Sequence, residues 1–212
     1  MMINTERYID SLERLPANGQ HILANQTDDN IVVYQAYSPA IADFAIKNQR
    51  LGGPAFSFSR MSCIKPNFLW MMYRCGWAEK ENQERVLAFT ISKIAFEDIL
   101  KKAVFSSFNP SYYSSHEQWK IELDLKEVRL QWDPDHDPFG NKLNRRAIQL
   151  GLKAGALQSF IDGTTLVDDI TDFVKQQKAA LDSDGMNQLW VPLETVFKPT
   201  DEALSFSIGI SL

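Results

Sequence analysis

Between Arg60 and Trp77 the chain reads RMSCIKPNFLWMMYRCGW, which sets three cations, Arg60, Lys65 and Arg74, among Trp70, Tyr73 and Trp77 with no Asp or Glu in the segment. Cations without an acid close by in sequence are open to an external anion. A guanidinium can also stack on aromatic faces while offering a fork of donors to phosphate or carboxylate. At 3.6 residues per turn Trp70, Tyr73, Arg74 and Trp77 fall within about a third of a helix circumference. Lys65 precedes Pro66, which biases the lysine away from helical backbone just ahead of a helix N-terminus, where free amides favour anions. These residues suit the binding of a phosphate-bearing ligand, with Trp70, Tyr73 or Trp77 stacking a ring.

A second group lies in VRLQWDPDHDP, where Asp133, Asp135, His136 and Asp137 crowd a segment between two expected strands. Oxygen and imidazole donors at that density could hold a divalent cation. The spacing matches neither an EF-hand nor a zinc motif, and Asp-Pro pairs are ordinary turn formers, so no metal is assigned. On the returning strand, alternation puts Arg146 and Ile148 on one face and Arg145, Ala147 and Gln149 on the other, which makes Arg146 a second candidate anion ligand. Polar contacts to the ligand are assigned to Gln35 and Tyr37 on the first long strand and to Gln131, Asp133 and Gln149 on this hairpin. There is no P-loop, G-x-G-x-x-G, G-x-S-x-G elbow or Cys-x-x-Cys, and His21, His116 and His136 are far apart in sequence, so no catalytic residue is assigned.

The elements that must position these groups read as an α+β fold. IVVYQAY (Ile31–Tyr37) is β-branched and aromatic and predicts a strand, followed by a helix from Pro39 that closes near Gly52-Gly53. Phe56–Arg60 alternates as a short strand, Pro66 opens the aromatic helix, and Arg85–Ser92 is the next strand. Phe96–Ala103 predicts a helix, Trp119–Leu125 and Val128–Trp132 predict strands, and Ala147–Leu152 returns as their partner. Helices are expected over Leu152–Phe160 and Leu166–Leu181, and strands over Leu189–Phe197 and Leu204–Ile210. The interleaving has no regular β-α-β period, so a single domain over 26–212 with a mixed, mainly antiparallel sheet and packed helices is expected. Residues 1–25, with a short amphipathic helix over 5–15, form an N-terminal appendage.

Apolar content of 44% and charged content of 23% suit a soluble domain, and a net charge of −5 gives no overall field toward nucleic acid or anionic membrane. Two cysteines are too few for a disulfide framework. The N-terminus lacks the basic start and apolar run of a signal peptide, so a cytoplasmic protein with reduced thiols is expected.

The strings VYQAY, RMSCIKPNFLWMMYRCGWA, QERVLAF, VRLQWDPDHD, RRAIQLGL and LWVPLETVF resemble domain-of-unknown-function family 4291 (DUF4291), found in bacteria and fungi, from Ile31 to Phe197. That resemblance implies a family without implying an activity. A looser pattern, strand VVYQAYS, helix PAIADFAIKNQ, Gly52-Gly53, strand FSFSRMS and a helix, is similar in order to the NAD-binding half of ADP-ribosyltransferases and RNA 2′-phosphotransferases. It implies NAD as cofactor and transfer of its ADP-ribose. The similarity is incomplete: Gln35, Ala36 and Tyr37 stand where those enzymes carry His or Arg and a hydroxyl residue. Their late catalytic Glu has no clear counterpart, Gln149 and Glu194 being the nearest positions.

Two readings stay open. One is an enzyme that binds a phosphate-bearing nucleotide, NAD or another, through Arg60, Lys65, Arg74 and Arg146. The other is a non-catalytic module that binds single-stranded RNA or an acidic peptide on the same surface. A helix apolar all round is buried, which suits a pocket better than an open platform.

Overall fold

Asn30–Tyr37 is apolar on both sides of its pleat because both sides are covered. Ile31 and Val33 enter one core, while Val32 and Tyr34 enter another. The computed structural model describes residues 3–211. In chain order the elements are β1 (Thr5–Arg7), α1 (Tyr8–Arg14), β2 (Gly19–Gln20), β3 (Ile22–Ala24), β4 (Asn30–Tyr37), α2 (Pro39–Asn48), β5 (Ser62–Ile64) and α3 (Phe68–Cys75). They continue with β6 (Arg85–Ser92), α4 (Lys93–Lys101), β7 (Ala103–Phe105), α5 (His116–Leu125), β8 (Val128–His136), β9 (Lys142–Leu152) and α6 (Ala154–Gly163). The chain closes with β10 (Thr164–Asp169), α7 (Thr171–Asp184), a 3-10 turn (Gly185–Gln188), β11 (Trp190–Pro192), β12 (Thr195–Phe197) and α8 (Glu202–Ser207).

The fold is mixed α+β. One sheet runs β10-β6-β4 and another β2-β9-β8-β7 with β5 also on β9; the long pairings are antiparallel, while β2–β9 and β7–β8 are parallel. An antiparallel bridge joins the two sheets, with Tyr34 N donating to Lys65 O at 2.7 Å and Lys65 N to Tyr34 O at 3.2 Å. The combined sheet curls. One core lies against α2, α4 and α6, and the other is built from α3, α7 and residues of β4 and β6. Near the N-terminus, β1 pairs with β11, β3 pairs with β12, and Tyr8 is buried in the second core. No described helix is long and apolar enough to cross a membrane.

The structure corrects the sequence reading at several elements. Trp119–Leu125 and Leu204–Ile210 are not strands, since α5 and α8 occupy those stretches behind side-chain caps from Ser115 and Asp201. Phe56–Arg60 is turn, and the strand there is β5, two residues later. The helix expected over Leu166–Leu181 divides into β10, which pairs with β6, and α7. β8 runs on to His136 and β9 begins at Lys142, so DPDH is strand rather than loop.

Candidate anion-binding site

Alternation along β5 turns Ser62 and Ile64 toward the first core, leaving Cys63 and, one residue on, Lys65 on the face under α3. Lys65 lies one step beyond the Ile64–Leu150 rung, beside Gln149, and Gln149 pairs across β9 and β8 with Gln131. Asp133, two residues further along β8 opposite Ala147, shares that face. Leu130, Ile148 and Leu150 point the other way into the core. The sheet is therefore apolar on one side and carries a polar seam on the other.

α3 covers this seam. Asn67 caps it, its Oδ1 accepting from Trp70 N at 2.6 Å, and Gly76 ends it in the left-handed region at φ 57. Phe68, Met71, Met72 and Cys75 are buried in the second core, while Arg74 is exposed with its Cζ 5.8 Å from the Trp70 ring centroid. The seam thus runs from buried Lys65 and half-buried Gln149 out to exposed Arg74 and Gln131.

Lys65 is only 5% exposed, and among the described residues its amine has neither an ion pair nor a side-chain hydrogen bond. Burial pushes that amine down to about 8, and nearby Arg74 pushes the same way, while Cys63, Cys75 and Asp133 oppose it. Burial also raises the Asp133 carboxyl. A 2.7 Å hydrogen bond from Gln131 Nε2 and the fields of Arg74, Lys65 and Arg146 work against that rise. Arg74 has no carboxylate partner among the described residues. Trp70 Nε1 and Gln149 Oε1 are buried without hydrogen-bond partners. Orphaned buried polar atoms are rare in folded proteins, and these two belong to α3 and β9, the elements that bound the seam.

The aromatic side chains do not sit as the sequence implies. Trp70, Tyr73 and His136 stack on one another, with ring centroids 5.5 Å apart for Trp70–Tyr73, 5.3 Å for Trp70–His136 and 3.6 Å for Tyr73–His136. Their faces are occupied mainly by each other and by Arg74. The sequence alone does not show that His136 joins this stack. Its ring is buried with neither nitrogen paired, and burial lowers its pKa. Trp77 is removed from the site: it packs edge-on against Phe68 at 6.0 Å, and its Nε1 donates to Pro138 O at 3.3 Å.

Three other candidates separate from the seam. Gln35 Nε2 donates to Ser62 Oγ at 2.7 Å and to Cys63 O at 3.2 Å, and the Tyr37 hydroxyl lies 2.9 Å from Ser62 Oγ. Ser62 points away from Lys65, so Gln35 and Tyr37 hold the far side of β5. Arg146 shares its face with Ile148 as expected, which places it opposite Gln149 and leaves it to reach Asp133 only through its field. Arg60 is exposed in the turn before β5.

The first amide of α3 is not open to a ligand. Glu194, from the segment between β11 and β12, accepts from Phe68 N at 2.6 Å and from Asn67 Nδ2 at 3.1 Å. The expectation of an external anion at that terminus is thereby corrected, because an internal carboxyl already sits there. The acidic run of β8 disperses as well. Asp135 Oδ2 accepts from Arg145 Nε at 2.5 Å, and Asp137 Oδ1 closes the hairpin by accepting from Phe139 N and Asn141 N. Among the described residues no three His, Cys, Asp or Glu side chains gather as metal ligands.

A mixed α+β domain with a polar seam between one helix and a curled sheet is the class of protein these features define. Residues 21–197 match the family described as Domain of unknown function (DUF4291), and the chain belongs to that family. No curated protein matches the chain.

Proposed function

We propose that the seam under α3 binds a phosphate-bearing nucleotide and that the protein is an enzyme acting on it. The observation that carries this reading is the buried, unpaired Lys65 amine beside Asp133 and Arg74. Burying a cation without a partner is costly, and an ionisable group whose charge is destabilised in that way is a frequent mark of function. Lys65 and Arg74 supply charge for a phosphate. The unpaired Gln149 oxygen accepts from a hydroxyl or amino group, which a nucleotide also brings.

Support for NAD in particular is weaker. The ADP-ribosyltransferase-like reading needs a polar anchor at Gln35 to Tyr37, and those side chains are turned to Ser62 on the far side of β5. The non-catalytic RNA reading needs an open aromatic platform, whereas Trp70 is buried and Tyr73 stacks on His136. A thermal-shift screen at low salt with NAD, ADP-ribose, ATP, GTP and a short single-stranded RNA tests the proposal. A rise with a mononucleotide or dinucleotide that is lost in Arg74→Ala supports it. A rise with RNA alone that vanishes in salt would sink it.

A further inference from the structure

The backbone of Lys65 is fixed at the junction of the two sheets. Its backbone makes both hydrogen bonds of the bridge to Tyr34, and Pro66 follows directly. Its amine and the Asp133 carboxyl lie on one face of the sheet and feel each other's charge, yet they stop short of an ion pair. An amine and an acid thus face the same seam without being paired to each other. Cys63, Cys75, Asp133 and Arg74 are the titratable and charged groups that bear on the amine.

We propose that Lys65 is a reactive amine that forms an imine with the carbonyl of a phosphate-bearing aldehyde or ketone, such as the open-chain form of a sugar phosphate. The inference rests on the proposed function in one respect: Arg74 holds the phosphate. The Nζ lone pair forms a bond to the carbonyl carbon, the carbonyl π pair moves to oxygen, and a proton passes from nitrogen to that oxygen to give a carbinolamine. The Asp133 carboxyl, which has taken its proton from the Lys65 ammonium as that amine becomes neutral, then gives the proton to the hydroxyl. The C–O bond breaks, water leaves, and the nitrogen lone pair closes the C=N bond. An iminium results, facing the ionised Asp133. One amine, one carbonyl and one carboxylic acid become one iminium, one water and one carboxylate, with no change of oxidation state.

Burial supports both roles, since it lowers the amine toward neutral pH and so enlarges its neutral fraction, and it raises the Asp133 carboxyl. The other lysines of the described chain are half-buried or exposed. Near neutral pH each unit by which the Lys65 pKa falls gives about tenfold more neutral amine.

The test treats the intact protein at neutral pH with limiting pyridoxal 5′-phosphate, traps imines with borohydride and maps adducts by peptide mass, with phosphate-free pyridoxal in parallel. The expected result is an adduct on Lys65 at least about tenfold above any other lysine. That adduct should fall about tenfold with pyridoxal or in Arg74→Ala, and no adduct should form at position 65 in Lys65→Arg. An unlabelled Lys65, or labelling spread evenly over surface lysines, overturns the proposal. Equal labelling of Lys65 by both aldehydes preserves the imine chemistry and overturns the phosphate-binding reading on which its substrate class rests.

Discussion

Glu194 accepts a hydrogen bond from Phe68 N at 2.6 Å, which plants a carboxyl from the C-terminal part of the chain on the first amide of α3. The helix that roofs the candidate site is therefore fixed from two ends of the sequence, by Asn67 from within and by Glu194 from 126 residues away. Asp135, Arg145 and Glu6 also bear on that carboxyl, and burial is the largest influence on it.

Burial pushes the Glu194 carboxyl up to about 8 from an ordinary 4.5. Its folded pKa exceeds its unfolded one, so between those values the unfolded chain binds fewer protons, and stability falls as pH rises. The expected loss over that window is about 2–4 kcal/mol. Glu194→Gln removes this slope but turns an amide NH₂ toward Asn67 Nδ2, at a cost of about 1 kcal/mol. Urea denaturation from pH 5 to 8.5 should show the variant weaker at the acid end, with the two stability curves crossing as pH rises. Parallel curves would show that Glu194 is already ionised in the folded state.

Beside that cap, Arg145 and Asp135 form an ion pair with 6% and 1% of their side chains exposed. Asp135→Ala leaves the guanidinium buried and also removes the acceptor of His136 N, so a loss of about 3–5 kcal/mol is expected. The double variant Asp135→Leu, Arg145→Met should recover most of that loss. A double variant as weak as the single one would mean that the pair's wider hydrogen bonding, including Arg145 to Pro16 O, matters more than its charge.

Arg74 and Arg146 look equivalent in sequence and differ in the fold, because only Arg74 lies over the seam. Each is exposed, so each alanine variant should change stability by no more than about 0.5 kcal/mol. Nucleotide affinity measured by calorimetry should weaken by about 2–5 kcal/mol in Arg74→Ala, and little in Arg146→Ala. The reverse order would move the site to the other face of β9.

Much of this architecture is written locally. β4 is legible because Ile31 to Tyr34 are apolar or aromatic without interruption, and α3 is legible because Asn67 and Gly76 bracket its apolar run. The two misread helices share a cause. Trp119, Ile121, Leu123 and Leu125 alternate like a strand, as do Leu204, Phe206 and Ile208, yet Ser115 and Asp201 cap helices in front of them. In α5 no residue is buried, so no core imposes the strand period that the alternation suggests. At the site, the cations were visible because no acid neighbours them in sequence. Glu194 on α3 and His136 against Tyr73 were not visible, because each comes from a distant segment. Alternation along β4 does not say which side of β5 Gln35 and Tyr37 join, and the Tyr34–Lys65 bridge decides that.

Lys65 gives the sharpest separation between stability and function. Its folded pKa of about 8 lies below the ordinary 10.5, so the folded state favours the neutral amine and pays a penalty for the charged one. That penalty is fully present below pH 8 and disappears as pH rises toward 10.5, so this residue makes the protein more stable with rising pH across that window. Lys65→Met keeps the length of the side chain and removes the charge, so at pH 7 it should stabilise the fold by about 1–3 kcal/mol. By pH 10 the gain should be mostly gone. The same variant should lose nucleotide binding and the trapped imine. A residue that weakens the fold at neutral pH and is needed for binding is what a functional lysine predicts, whereas a structural one would destabilise when replaced. Denaturant midpoints at the two pH values, set beside the ligand-induced thermal shift, distinguish the two.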